Sequence, residues 1–122
     1  MTEKRLQAFA AAWAAWARRD VETLMTFLTE DCMYEASIGP EPGTTYVGQD
    51  AVRQGFEKML AHHPGGETRN GLLFICGNKG VMGWISLWTA PDGQVVEQRG
   101  CDIYEFDGDH IRRKNAFRKT WQ

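Results

Sequence analysis

The 122-residue chain is long enough to bury roughly two thirds of the surface its unfolded form exposes, so a core and a ligand cavity both fit in one domain spanning residues 1–122. Its net charge of −2, with no basic run beyond Arg112-Arg113-Lys114 and Arg118-Lys119, argues against a nucleic-acid partner. No apolar run approaches the ~20 residues that cross a bilayer, and Met1 leads straight into a charged helix start, so a cytoplasmic protein without a membrane partner is expected.

Five Trp, six Phe and three Tyr exceed what a core of this size needs, and such an excess suits a pocket or an interface. Cys32, Cys76 and Cys101 are odd in number and far apart, which points to free thiols and not to a zinc site. No metal and no organic cofactor is expected.

In chain order, Leu6, Phe9, Ala10, Trp13, Trp16 and Ala17 form one stripe of an amphipathic helix over Glu3 to Arg18. Asp20 is a good N-cap for a second, short helix carrying Val21, Leu24, Met25, Phe27 and Leu28, which Thr29-Glu30-Asp31 breaks. Alternation then predicts a strand from Cys32 to Ile38, with Cys32, Tyr34, Ala36 and Ile38 on one face. The prolines of Gly39-Pro40-Glu41-Pro42-Gly43 make a rim loop. A brief strand at Thr44 to Val47 leads to a third helix, capped by Asp50, with Val52, Phe56, Met59 and Leu60 on its apolar face and an end at His62-His63-Pro64-Gly65-Gly66.

The remainder reads as a meander of strands: Glu67 to Cys76, Val81 to Thr89, Val95 to Phe106 and His110 to Trp121. The connectors Gly77-Asn78-Lys79-Gly80, Pro91-Asp92-Gly93 and Asp107-Gly108-Asp109 are hairpin turns. Helices first and a meander last give an α+β domain.

Asp102 is the anomaly. Asp is depleted in strand interiors and resists burial, so a carboxylate between Cys101 and Ile103 needs a reason. A two-residue turn at Asp107-Gly108 sets it opposite Arg113, and a longer turn sets it opposite Lys114. One reading is therefore a cross-strand ion pair that depresses its pKa. The other is a desolvated acid beside Tyr104 and Phe106 that donates a proton or a hydrogen bond to a developing oxyanion. If Lys114 faces inward, so do Ala116 and Arg118, and a cationic floor would favour an anionic or carbonyl-bearing ligand. The opposite parity would bring in Arg113, Asn115 and Phe117.

The order helix, helix, strand, rim loop, helix, meander resembles the nuclear transport factor 2-like superfamily. The segments Trp16-Ala17-Arg18-Arg19-Asp20, Glu35-Ala36-Ser37-Ile38-Gly39-Pro40-Glu41-Pro42 and Gly100-Cys101-Asp102-Ile103-Tyr104-Glu105-Phe106-Asp107-Gly108 carry the likeness, which is greatest to the SnoaL-like and ketosteroid isomerase-like group. It implies three N-terminal helices packed in the concave face of a strongly curved, mostly antiparallel sheet, a cone-shaped, cystatin-like α+β barrel. It also implies a small-molecule ligand in the cone and a homodimer through the convex face. The rim segment is similar to the stretch carrying the isomerase base, but Ala36 stands in the base position and Ala12 in that of the oxyanion-hole tyrosine, which argues against steroid isomerisation. Limonene epoxide hydrolase has a comparable Tyr at Tyr34 but an Asn at Ala36, and the paired histidines of scytalone dehydratase have no counterpart, since His62, His63 and His110 read as solvated ends.

The expected function is cofactor-independent acid–base chemistry, isomerisation, dehydration or cyclisation, on a compact apolar substrate. The alternative is a non-catalytic binding or dimerisation module. Asp102 would be proton donor or oxyanion stabiliser, Tyr34 a hydrogen-bond donor and Lys114 an electrostatic or orienting group. Trp13, Trp16, Ala36, Ile38, Phe56, Met59, Leu60, Trp84, Trp88, Tyr104, Ala116 and Arg118 would surround the ligand. Core packing competes with this role for Trp13 and Trp16, and dimer packing for Trp84 and Trp88.

Overall fold

The computed structural model describes residues 2–40, 43–62 and 66–119, in the order α1 (Thr2–Ala17), α2 (Val21–Met25), β1 (Leu28–Glu35), β2 (Thr45–Val47), α3 (Gln49–His62), β3 (Glu67–Cys76), β4 (Lys79–Thr89), β5 (Val95–Asp107) and β6 (His110–Arg118). The strands form one sheet in the order β2-β1-β6-β5-β4-β3, antiparallel except where β1 runs beside β6. The helices cover its concave side, and α1 meets both β3 and β6.

Helix α1 buries Phe9, Ala12 and Ala15, while Ala10 and Ala17 of the expected stripe are exposed. The helix is thus turned so that its smallest residues meet its neighbours and Trp13 and Trp16 flank the contact. Its end is a Schellman motif, in which Asp20 N–H bonds Ala15 O and Arg19 N–H bonds Trp16 O, both at 2.9 Å. The left-handed residue is Arg19, at φ 62°, where Gly is usual.

Helix α2 stops at Met25, shorter than expected, although Asp20 caps it as expected by accepting from Thr23 N at 3.1 Å. Leu28 opens β1, and Thr29-Glu30-Asp31 lie within that strand instead of breaking a helix. The strand ends at Glu35, so Ala36 to Ile38 follow it. Leu28 pairs with Ile111, whose N–H donates to Phe27 O at 2.8 Å, and the residues after it lie at a register shift, where the Gln49 side chain of α3 donates from Nε2 to Thr29 O at 3.0 Å. Asp50 lies in the first turn of α3 with its side chain in solvent; the helix starts one residue earlier, after Gly48.

Strand β4 begins at Lys79, leaving Gly77-Asn78 as the turn, and β6 ends at Arg118. His63 and Trp121 lie outside the described residues. The β5–β6 hairpin follows neither expected register. It turns at Gly108-Asp109, pairs Asp107 with His110 and Phe106 with Ile111, then shifts so that Glu105 meets Arg113, Tyr104 meets Lys114 and Asp102 meets Ala116. The extra residue is Arg112, a bulge that lets Ile111 and Lys114, three apart, both point inward.

Candidate functional site

Asp102 and Lys114 are the two buried charged side chains among the described residues, 4% and 8% exposed. Their Oδ2 and Nζ lie 3.9 Å apart, diagonal neighbours across the hairpin. Asp102 thus has the ion pair of one reading and the burial of the other, with Ala116 and not a cation directly opposite it, and its pKa is raised where the ion-pair reading expected it depressed.

Three neighbours define the carboxyl group. Trp84 Nε1–H donates to Oδ1 at 3.0 Å, and Tyr104 O–H donates to Oδ2 at 3.2 Å. An indole can only donate, so Oδ1 is fixed as an acceptor and a proton on the acid sits on Oδ2, toward Tyr104 and Lys114. Burial raises the Asp102 pKa from the ordinary carboxylate range, outweighing Lys114, Trp84 and Tyr104, which pull it down. Burial likewise lowers Lys114, against the Asp102 charge. The Lys114 Nζ also stands 3.7 Å from the centroid of the Trp16 ring, a face that favours the ammonium form. The phenols of Tyr104 and Tyr34 are both pushed up by burial first and by Asp102 second, and so stay protonated.

Gly100 makes this arrangement possible. It pairs with Trp84 across the strands, and a Cβ there would lie 2.4 Å from the Trp84 ring and 2.2 Å from Phe117 O. Without a side chain at 100, the indole lies over β5 and reaches Asp102.

The pair opens on a cleft lined by Trp13, Trp16, Tyr34, Met59, Leu60, Trp84, Asp102, Lys114, Ala116 and Arg118, and also by Arg19, Ser37, Gly66, Thr68 and Ser86. Its free space is about 60 Å³, several times the ~10–15 Å³ that holds one water by the same measure. Arg118 is half-buried in its wall, its Nε bonded to Ser37 Oγ at 3.3 Å and its Nη1 to Gln98 Oε1, and burial lowers its pKa.

Several expected ligand contacts lie elsewhere. Phe56 and Tyr104 line a second, smaller void of about 10 Å³, which Trp13, Trp16 and Lys114 also border. Ala36 is buried in the core beyond β1, Ile38 packs against that core from the loop, and Trp88 sits farther along β4 than the cleft reaches. Of the residues the sequence reading missed, Ser86 was available from its alternation with Trp84. Thr68 follows from pairing with Ser86, and Arg19 from its left-handed position at the end of α1, but both need the fold. His62 and His110 are exposed, and the three cysteines are free, Cys32 buried and Cys76 exposed.

No functionally curated protein matches the chain significantly. Among solved structures, an NTF2-like protein of unknown function from Burkholderia pseudomallei superposes with a TM-score of 0.81 at 18% identity, covering 95% of this chain and 91% of that one. An uncharacterised cystatin-fold protein from Novosphingobium aromaticivorans gives 0.76 at 23%, covering 93% and 97%. A candidate polyketide cyclase from Xanthomonas campestris gives 0.69 at 15%, covering 94% and 90%. These likenesses establish the NTF2-like, cystatin-like α+β fold. The family model described as SnoaL-like domain matches residues 7–114, most of the chain and both members of the buried pair, and the protein belongs to that family.

Proposed function

We propose that the protein catalyses a cofactor-independent proton transfer on a compact, mostly apolar carbonyl compound, an isomerisation, dehydration or cyclisation through an enol. The observation that carries this reading is the buried Asp102–Lys114 pair at 3.9 Å, opening on an aromatic cleft. Desolvation draws the acid up and the amine down, toward a neutral acid beside a neutral base. In that state the Lys114 lone pair takes a proton from the carbon next to a carbonyl, while the Oδ2–H proton of Asp102 passes to the carbonyl oxygen. The products are an enol and an ammonium–carboxylate pair. Return of a proton from Lys114 to a different carbon, with the enol proton returned to Oδ2, completes an isomerisation and restores the pair. Lys114 would thus supply the base that Ala36 cannot.

The likeness to a candidate polyketide cyclase is consistent with carbonyl chemistry. The second reading, a binding module without turnover, draws on the alanine at position 36.

Exchange in D2O tests the proposal without knowledge of the physiological substrate. Small aryl and cyclic ketones incubated with the protein should take up deuterium at the α-carbon, followed by proton NMR. Lys114→Met should reduce the protein-dependent rate by the ~10²–10⁴-fold typical of a lost general base. Saturable ketone binding with no protein-dependent exchange would establish the binding module instead.

A further inference from the structure

We propose that the molecule taken by this cleft carries a carboxylate, seated on Arg118 in the wall, with its apolar body against Trp13, Trp16 and Trp84. The proposal rests on the reading of the cleft as an acid–base site and names the class of its substrate.

Charge accounting leads there. Asp102 and Lys114 compensate one another whether they share the proton as an ion pair or as a neutral pair. The other charged residues lining the cleft are Arg19 and Arg118, both cationic. Arg19, bonded to the Leu60 carbonyl, is exposed at the rim.

Arg118 differs from the other arginines of the sheet. Arg69 pairs with Glu67, Arg99 with Glu97, Arg112 with Asp31, and Arg113 with Glu35 and Glu105. Arg118 has only the Ser37 hydroxyl and the Gln98 amide oxygen, both neutral, and no carboxylate within ion-pair distance among the described residues. A half-buried guanidinium without a counter-charge bears a desolvation cost that an arriving anion offsets. Its planar fork suits a carboxylate better than any other side chain would.

The spacing leaves room for an apolar body between that carboxylate and Lys114. Lys114, Ala116 and Arg118 share one face of β6, so Lys114 and Arg118 stand ~13 Å apart along the strand at ~3.3 Å per residue. Between them Ala116 leaves room, and Asp102 lies opposite Ala116. An acid held at Arg118 therefore extends over Asp102 toward Lys114, with the aromatic rings closing around its apolar part.

The three cleft tryptophans provide the readout. Benzoate and phenylacetate, with benzamide and phenylacetamide as neutral counterparts, are titrated against intrinsic fluorescence at low ionic strength. The acids should bind saturably and at least about tenfold more tightly than the amides, and Arg118→Gln should weaken acid binding by roughly ten- to hundredfold while leaving the amides unchanged. Arg118→Lys should recover part of the loss. The anion seat is overturned if acid and amide bind alike, if a folded Arg118→Gln protein binds benzoate as the wild type does, or if neither acid saturates by about 10 mM. Should Arg118→Gln fail to fold by circular dichroism, the wild-type acid-to-amide ratio and Arg118→Lys decide. Because no turnover is needed, the two readings fail separately: acid-selective binding without α-deuteration sinks only the acid–base chemistry, and α-deuteration without acid selectivity sinks only the seat.

Discussion

At residue scale the molecule depends on the cost of placing one carboxyl group where water does not reach. Asp102 keeps a raised pKa despite two hydrogen-bond donors and a lysine, because burial outweighs them. The unfolded chain holds the group near ~3.9. A folded pKa above that value means that the folded state binds the proton more tightly, so the contribution of Asp102 to stability is fully present below pH ~3.9 and is lost as the pH rises through the folded value. Lys114 has the opposite sign: its folded pKa is lowered, and its contribution is lost as the pH falls from ~10.4 through the folded value. Asp102→Asn removes the first dependence. Urea denaturation of both proteins from pH 4 upward should therefore show the wild type losing stability relative to the variant by ~1.4 kcal/mol per pH unit between the two pKa values, then levelling off. A wild type that gains on the variant over that range would make Asp102 a stabilising ionised partner of Lys114. The singularity of Asp102 was visible in the sequence, as an acid inside an apolar strand. The choice between Arg113 and Lys114 as its partner was not, because Arg112 enters the ladder as a bulge and nothing in Ile111-Arg112-Arg113-Lys114 marks which residue is the extra one.

At the scale of elements, the hairpin β5–β6 and helix α1 form the scaffold of the site. Phe9 of α1 is buried against Tyr104 with ring centroids 4.4 Å apart and against Phe106 at 5.7 Å, and its ring fills the space beside Gly80 that a Cβ would occupy. The same helix sends Trp16 to Lys114, so one helix face sets both a partner of Lys114 and the packing of the tyrosine that donates to Asp102. Phe9→Ala leaves a cavity under Tyr104 and should cost ~3–5 kcal/mol in denaturant unfolding. A cost under ~1 kcal/mol would mean that α1 repacks and does not fix the hairpin. Strand positions in the meander were legible from alternation and turn residues, with Glu67–Cys76 matching in full. The start of β1 was not, because Thr29-Glu30-Asp31 carries no apolar signal and lies at a register shift between Leu28 and Met33, which both pair with a strand some eighty residues later. Local sequence cannot encode that contact. The rotation of α1 was hidden for a related reason: in an alanine-rich helix, the residues that approach closest are the smallest, and they weigh least in an apolar stripe.

At the scale of the whole molecule, the concave side of the sheet is covered by helices while the convex side presents a band low in charge. Pairing aligns Phe74, Val81, Ile103 and Asn115 in one row across β3, β4, β5 and β6. Leu72 and Phe117 stand close by, and Leu72, Phe74, Ile103 and Phe117 are between 41% and 65% exposed. Charge gathers at the two ends of the strands. Glu67, Arg69, Glu97 and Arg99 satisfy one another at one end, as do Lys79, Glu105, Arg113 and Glu35 at the other. A second copy would meet an apolar centre with its polar rim already paired, the distribution of a protein interface, and would bury side chains that are unfavourable in water. We therefore expect a homodimer through this face, and light scattering should give twice the 13.8 kDa of the chain. Ile103→Lys places a charge at the middle of the band, where two copies would each bury one, and should shift the protein to monomer without unfolding it, because residue 103 faces away from the core. The cleft lies on the other side of the sheet, so carboxylate binding should survive the substitution. A wild-type mass of one chain at micromolar concentration, or an Ile103→Lys protein still of double mass, would place the association elsewhere or remove it.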